Sequence, residues 1–489
     1  MCLCAARHKI AFHAEAVQKG MVMIMKKQLT GILSAGICAL AALALFTGCG
    51  DSGHSRNLMD DVSAEQPGNA GEDGRQTGAA GDQDRQTGTA DENDGQNGSA
   101  AGFGSVVPAS ANTDLPAADA VTYTDFAVKL FQECVTGEAE GNVLISPLSV
   151  INALAMTAGG ARGETLTQME GLFGADLNSL CSYLKTYNEG LPSDEKYKLH
   201  TANSVWVKDN GSFTVCPYFM KINAGYFNAD VYIAPFDGST LKDINGWVCE
   251  NTDKMIPEIL DQIPEDAVMY LINALAFDAE WQKIYNEYQI RDGSFTCEDG
   301  DILDVEMMYS SEYTYLQDTQ AQGFLKYYSD KKYAFAALLP EEGISIDAYA
   351  ASLTGRDLHE LLSNSMEAPV EAAIPKFETE YSTLLNNILT ALGMTDAFDS
   401  ELADLSGLGS NPAGNLFISR VIHKTYISVD EKGTKAGAAT AVEVKKESAA
   451  INPVEPKTVY LDRPFVYMII DCEENLPVFI GAVKDPSLH

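Results

Sequence analysis

Three rhythms of apolar and polar positions run along this chain, and each predicts a different kind of element. Between Tyr123 and Thr136 the apolar residues Phe126, Leu130, Phe131 and Cys134 recur at helical spacing and line one face of a first helix. Asn142–Ile145 reads as a short strand. Ser146 and Pro147 then open a second helix, since a serine hydroxyl satisfies free backbone N–H groups and proline at the first position removes none that the helix needs. Apolar runs bounded by polar turns, Thr201–Lys208, Leu271–Phe277 and Tyr333–Leu339, predict central strands, the last stopped by Pro340. Val459–Ile470 and Val478–Val483 predict a terminal pair of strands. Helices gather early and strands late, without βαβ alternation, so the expected class is mixed α+β.

The third rhythm has period two. Thr434, Ala436, Ala438, Thr440, Val442 and Val444 are small or β-branched and carry no charge, while Lys435, Gly437, Ala439, Ala441, Glu443 and Lys445 lie between them. Successive side chains of a strand point to opposite faces, so this is the pattern of a half-buried strand. The same segment has the marks of a loop: its residues pack little, and it runs into Lys446, Glu447 and Ser448 and the turn formers Asn452 and Pro453. A segment written both as exposed loop and as buried strand is a candidate conformational switch.

The first 118 residues lack such rhythms. Lys26 and Lys27 precede an apolar run, Ile32–Phe46, that ends in Thr47, Gly48 and Cys49. This reads as residues 1–49 forming a leader and lipoprotein signal peptide, with Met25 as its natural start and Cys49 as the lipid attachment site. The run is short for a membrane-spanning helix. Residues 50–118 are rich in Gly, Ala, Asp, Gln and Asn and contain a near-repeat, GEDGRQTGAA followed by GDQDRQTGTA. With so few large apolar residues this tract cannot offset its ordering entropy, which predicts a disordered acidic tether. About 70 such residues span roughly 45 Å. The folded domain is then 119–489, held outside the cell at a bacterial membrane, shed from it or secreted.

Composition narrows the chemistry. The chain has 489 residues and a formal net charge of −36, which speaks against nucleic acid as a partner, because phosphate contacts need a basic surface. Of ten cysteines, Cys134, Cys181, Cys216, Cys249, Cys297 and Cys472 belong to the body; their wide, irregular spacing offers no metal motif and favours plain thiols. No phosphate-cradling loop or carboxylate pair at meaningful spacing is present, so no enzyme activity and no cofactor are expected.

The residues around the period-two segment carry a resemblance. VDEKGTKAGAAT (Val429 to Thr440) precedes it or lies within it, and VYLDRPFVYMI (Val459 to Ile469) follows. Upstream, NVLISPLSVINALAMTAGGARGET, LINALAFDAEW, ALLPEEG, AAIPKFETEYS and ALGMTDAF fall in order over roughly 350 residues. Together these resemble the serpins. The resemblance implies about nine helices around three β-sheets with an exposed reactive loop. It also implies inhibition of serine endopeptidases, with the cysteine class as an extension, by a loop that is cut and then inserts into the main sheet while the protease stays attached. On that pattern Glu431, Gly433, Thr434, Ala436, Ala438, Ala439 and Thr440 are the hinge, and Lys446, Glu447 and Ser448 flank the reactive bond. Ser146, Ser149, Asn273 and His423 match the shutter beneath the sheet, and Trp281 the breach where the loop enters. The target endopeptidase is the covalent partner, the membrane is reached through the lipid, and the chain is a monomer. Lys435, and Asp278, Ala279 and Glu280, depart from the family pattern. His423 with a serine imitates a catalytic pair, but no GxSxG elbow accompanies it and a structural histidine is the simpler reading. The rival function is a non-inhibitory serpin acting as a carrier or adhesion module.

Overall fold

The first helical rhythm becomes α1 (Ala120–Gly137), and its start is set by reciprocal bonds: the Asp119 carboxylate accepts from the Thr122 N–H, and the Thr122 hydroxyl accepts from the Asp119 N–H, each at 2.8 Å. Ser146 caps α2 (Pro147–Ala158), with Pro147 in the first turn as the sequence predicts. Every residue of α2 is buried, the place for a helix apolar on most sides. The computed structural model describes residues 55–58 and 115–488, apart from 139–140, 195–196, 210, 212, 228, 266, 411, 413–414 and 435–454. The leader with Cys49, most of the 50–118 tract, and Ala436, Ala438, Ala439, Thr440, Lys446, Glu447 and Ser448 lie outside the described residues.

Seven further α-helices among the described residues are α3 (Gly163–Phe173), α4 (Leu177–Glu189), α5 (Pro217–Ile222), α6 (Gly238–Asn251), α7 (Ile346–Ser352), α8 (Gly355–Ser363) and α9 (Asn386–Ala391). The first sheet has eight strands. Seven of them, β1 (Arg56–Asn57), β2 (Tyr197–Lys208), β3 (Asp230–Ala234), β4 (Met269–Glu280), β5 (Phe377–Leu384), β6 (Arg420–Val429) and β7 (Gly433–Thr434), lie in the order β1-β3-β2-β4-β7-β6-β5, and Ser193–Asp194 folds back on β2. A nine-stranded sheet runs from Lys457–Tyr460 through Met366–Pro375, Ile302–Gln317, Ala321–Tyr327, Tyr333–Pro340, Phe465–Asp471 and Leu476–Val483 to Val143–Ile145, with Ile290–Thr296 beside Ile302–Gln317. Thr214–Val215 and Gly409–Ser410 make a third, two-stranded sheet. One buried apolar cluster takes side chains from both large sheets and from α1 and α2. The expected α+β architecture is therefore what the chain adopts.

Two readings of the sequence need correction. Val459–Ile470 is not one strand: Lys457–Tyr460 pairs in parallel with Val370–Ala373, while Phe465–Asp471 crosses elsewhere in the same sheet. Pro464 between them has no N–H to give a ladder. The tract 50–118 also contains order, since Arg56 and Asn57 pair with Ile233 and Tyr232 at the edge of the first sheet. All six body cysteines are free thiols, with Cys134, Cys181 and Cys297 buried.

Candidate functional site

The switch segment begins as β7, two residues long. Gly433 stands opposite Glu280 and Thr434 opposite Ala279 on β4, antiparallel, and Thr434 also faces Val429 on β6. A tight turn delivers them: Asp430 Oδ1 accepts from the N–H groups of Lys432 and Gly433 at 2.7 and 3.1 Å, and the Asp430 N–H donates to the Gly433 carbonyl at 3.0 Å. Gly433 is needed for space as well as for mobility, because a Cβ there would meet the Ala279 carbonyl oxygen at 2.0 Å. Thr434 is 1% exposed, and its hydroxyl lies 2.6 Å from that of Tyr328. The even-numbered set thus begins on the inward face, as its lack of charge requires.

Trp281 ties this turn to the sheet. Its ring stacks on Tyr328 with centroids 4.6 Å apart, its indole N–H donates to the Asp430 carbonyl at 2.8 Å, and its backbone N–H donates to the Lys432 carbonyl at 2.8 Å. Glu431 is held from outside by Lys376 at 3.0 Å, which also reaches Glu306 at 3.4 Å. The hydrogen bond from Lys376 draws the Glu431 carboxyl below its ordinary pKa. The sequence reading missed a buried ion pair beside these groups, Lys326 with Glu312 at 2.9 Å. Lys326 also lies over the rings of Tyr285 at 4.2 Å and Trp281 at 5.3 Å. Burial opposes its charge, but Tyr285 and the Glu312 carboxylate outweigh burial and raise its pKa. The two residues sit 14 apart on neighbouring strands, so no local motif announces them; the available signal is a lysine inside the apolar strand Ala321–Tyr327.

Further along, β4 and β6 pair directly and in parallel, Tyr270–Ala274 with Arg420–Lys424. Asn273 stands opposite His423 there, and opposite Asn203 on β2. His423 is buried, and its Nε2 accepts the Ser146 N–H at 3.1 Å, which assigns the ring proton to Nδ1. Burial pulls its pKa down to about 4, so the ring is neutral. The Ser146 hydroxyl donates to the Val478 carbonyl at 2.9 Å and accepts the Ser149 N–H at 3.3 Å. It is committed away from the imidazole, so the pair lacks the contact by which a histidine activates a nucleophile. Ser149 Oγ and His423 Nδ1 are buried without partners among the described residues. An atom left so costs roughly 1–3 kcal/mol.

The structure therefore gathers the predicted shutter residues Ser146, Ser149 and His423 at one level and aligns Asn273 with them by register; it gathers Glu431, Gly433, Thr434 and Trp281 at another. The second level contains β7 itself, which lies between β4 and β6. Residues 121–486 match the family model described as Serpin (serine protease inhibitor), and the chain belongs to the serpin family, a family of serine protease inhibitors. It is 30% identical over 379 residues to a leukocyte elastase inhibitor of Xenopus laevis, covering 74% of this chain and 98% of that protein. Among solved structures it resembles the thermophilic serpin tengpin in the native state, at 46% identity and TM-score 0.71, covering 77% of this chain and 97% of that one. The same serpin in the latent state matches at 45% identity and TM-score 0.66, covering 76% and 98%.

Two measurements check the site. Because the folded pKa of His423 is lowered from 6.5 to about 4, the unfolded chain takes up this proton first as pH falls. Its contribution to stability is complete above pH 6.5 and is lost between there and about pH 4. The loss amounts to about 3 kcal/mol. Urea titrations from pH 8 to 4 should show that slope in the wild type and a flatter one in His423→Gln. Gly433→Ala should lower the native form's stability by roughly 1–3 kcal/mol through forced overpacking, read from the first unfolding transition.

Proposed function

We propose that this serpin inhibits serine endopeptidases as a suicide substrate: the protease cuts the segment after Thr434, remains esterified to it, and is carried along the first sheet as the cut segment inserts between β4 and β6. Strand insertion and stored strain belong to serpins as a family; the suitability of this chain for the move comes from its own register. The observation that carries the reading is that Gly433 and Thr434 already occupy strand positions there, with Thr434 inward. The antiparallel register sets Thr434 opposite Ala279 on β4 and Val429 on β6. Continued along both strands, it would bring Thr440 opposite Asn273 and His423, between the shutter residues. Ala436, Ala438, Val442 and Val444 would fall opposite Phe277, Leu275, Leu271 and Met269, four buried apolar residues. Lys446 would fall opposite Ala267, just past the end of β4 at Met269.

That end point supports a reactive bond at Lys446–Glu447 or Glu447–Ser448. From Thr434 to Glu447 is 14 residues, roughly 46 Å of strand, enough to move an attached protease from one end of β4 to beyond the other. Lys446 suits a trypsin-like protease and Glu447 a glutamate-preferring one. Val444, Ala449 or Ala450 would suit an elastase-like one, the class to which the Xenopus laevis relative's name points. The apolar leader ending at Cys49 supports secretion with lipid attachment at that thiol and tethering at a bacterial membrane.

Incubation with each protease class should give an SDS-stable covalent band with one of them, and mass spectrometry of the released fragment fixes the bond. Clean cleavage by all three, without a covalent band, would sink the inhibitor reading. Thr434→Arg places a charge at a buried position and should turn inhibitor into substrate, cutting covalent yield at least tenfold while the native far-UV spectrum stays unchanged. The nicked wild-type protein should melt well above the intact one, as a scanning calorimeter would record.

A further inference from the structure

Residues 55–58 lie in the tract whose composition promises no order, yet they are specifically held. Arg56 and Asn57 pair antiparallel with Ile233 and Tyr232, and the Leu58 N–H donates to the Val231 carbonyl at 2.8 Å. The Asn57 amide donates to Asp230 Oδ1 at 2.7 Å, and the Ser55 hydroxyl donates to Asp243 on α6. Asp230 is itself fixed by the Trp247 indole N–H at 2.9 Å, and Leu58 is buried in the main apolar cluster. Backbone, amide, hydroxyl and apolar contacts converge on four residues, which makes this a built docking site for the chain's own upstream segment.

Its position in the sheet decides what it does. In the sheet the segment is the edge strand beside β3, with β2 between β3 and β4, so its ladder does not span the seam between β4 and β6. Along the strands, Arg56 faces Ile233, Ile233 faces Val207, and Val207 faces Met269, the end of β4 remote from the hinge. This is also the end to which the continued register carries Lys446. Six peptide steps from Cys49 to Ser55 span at most about 20 Å.

We propose that in the anchored protein the docking of residues 55–58 on β3 turns this pole of the body toward the bilayer and holds it within about 20 Å of the lipid, and that arrival of a protease at the same pole forces the segment to let go. A globular protease of about 220 residues is on the order of 45 Å across, twice the available reach. Release replaces six residues of reach with residues 50–114, which as a flexible chain would span about 45 Å root-mean-square. The inference rests on the lipid-anchor and insertion readings given under the proposed function.

The test uses the full chain, processed by a bacterial host and reconstituted in phosphatidylethanolamine–phosphatidylglycerol vesicles, with radiolabelled palmitate to report acylation at Cys49. A donor dye at Lys242, introduced as a non-natural residue, and a headgroup-labelled acceptor report stand-off. Transfer should be high in the wild type and fall several-fold in Asn57→Ala/Leu58→Asp and on forming the protease complex. Equal transfer in wild type and variant, with the acyl label present, overturns the proposal. A second arm locks the segment by a disulfide in Ser55→Cys/Asp243→Cys. On vesicles the locked protein should give at least fivefold less covalent complex, and the same locked protein with Cys49→Ala in solution should give an undiminished yield. An undiminished yield on vesicles overturns the proposal, as does an equal loss in solution. Absence of acyl label overturns the anchor reading and the stand-off with it, whereas absence of any covalent complex in solution overturns insertion; the label and the band separate these failures.

Discussion

Five residue pairs, Tyr270–Ala274 against Arg420–Lys424, close the first sheet below the hinge, and the behaviour of the whole domain depends on that parallel seam. Parallel pairing is slightly weaker per residue than antiparallel pairing. Here it joins the two strands that flank β7, each of which is bound antiparallel to its other neighbour, β2 on one side and β5 on the other. The seam is thus the weakest line through an otherwise well-tied sheet. Its His423 ring reaches the capped start of α2, where Ser149 Oγ and His423 Nδ1 are buried without partners among the described residues. A strand able to hydrogen-bond both sides antiparallel and to bring a hydroxyl to that level would improve on what it displaces.

At the upper end the opposite holds. Trp281, Tyr328 and Thr434 form a stacked and hydrogen-bonded wedge, the Asp430 turn is satisfied three times over, and Lys376 fixes Glu431 from the solvent side. The buried Lys326–Glu312 pair stiffens the floor behind Trp281. Removing one partner of such a pair would strand a buried charge at a cost of roughly 3–5 kcal/mol. The upper level is thus the better satisfied of the two, and an insertion of the proposed kind would start from it.

Much of this was legible in the sequence because it rests on local chemistry. The α1 stripe and the Ser146-Pro147 start of α2 are decided by residues close in the chain, as is the absence of charge at the even positions after Gly433, and ordered motifs carried the family. What escaped is what only tertiary pairing creates. Lys326 and Glu312 meet across strands; the split of Val459–Ile470 follows from a proline whose effect on the ladder depends on which neighbours the two pieces find. Residues 55–58 are polar apart from Leu58, so no composition rule distinguishes them from their surroundings. They gain order from a sheet edge and from two aspartates, Asp230 and Asp243, that belong to the body.

Four of the six thiols are shifted in one direction. Burial lifts Cys134 and Cys472 to about 12 and Cys297 to about 11, and Cys181 is raised as well, so these sulfurs stay protonated at neutral pH. A protonated, enclosed sulfur is a poor nucleophile and exchanges slowly with oxidants. These four sulfurs are therefore slow to staple the sheets to one another in an oxidising milieu, which leaves the sheets the freedom that the proposed insertion requires.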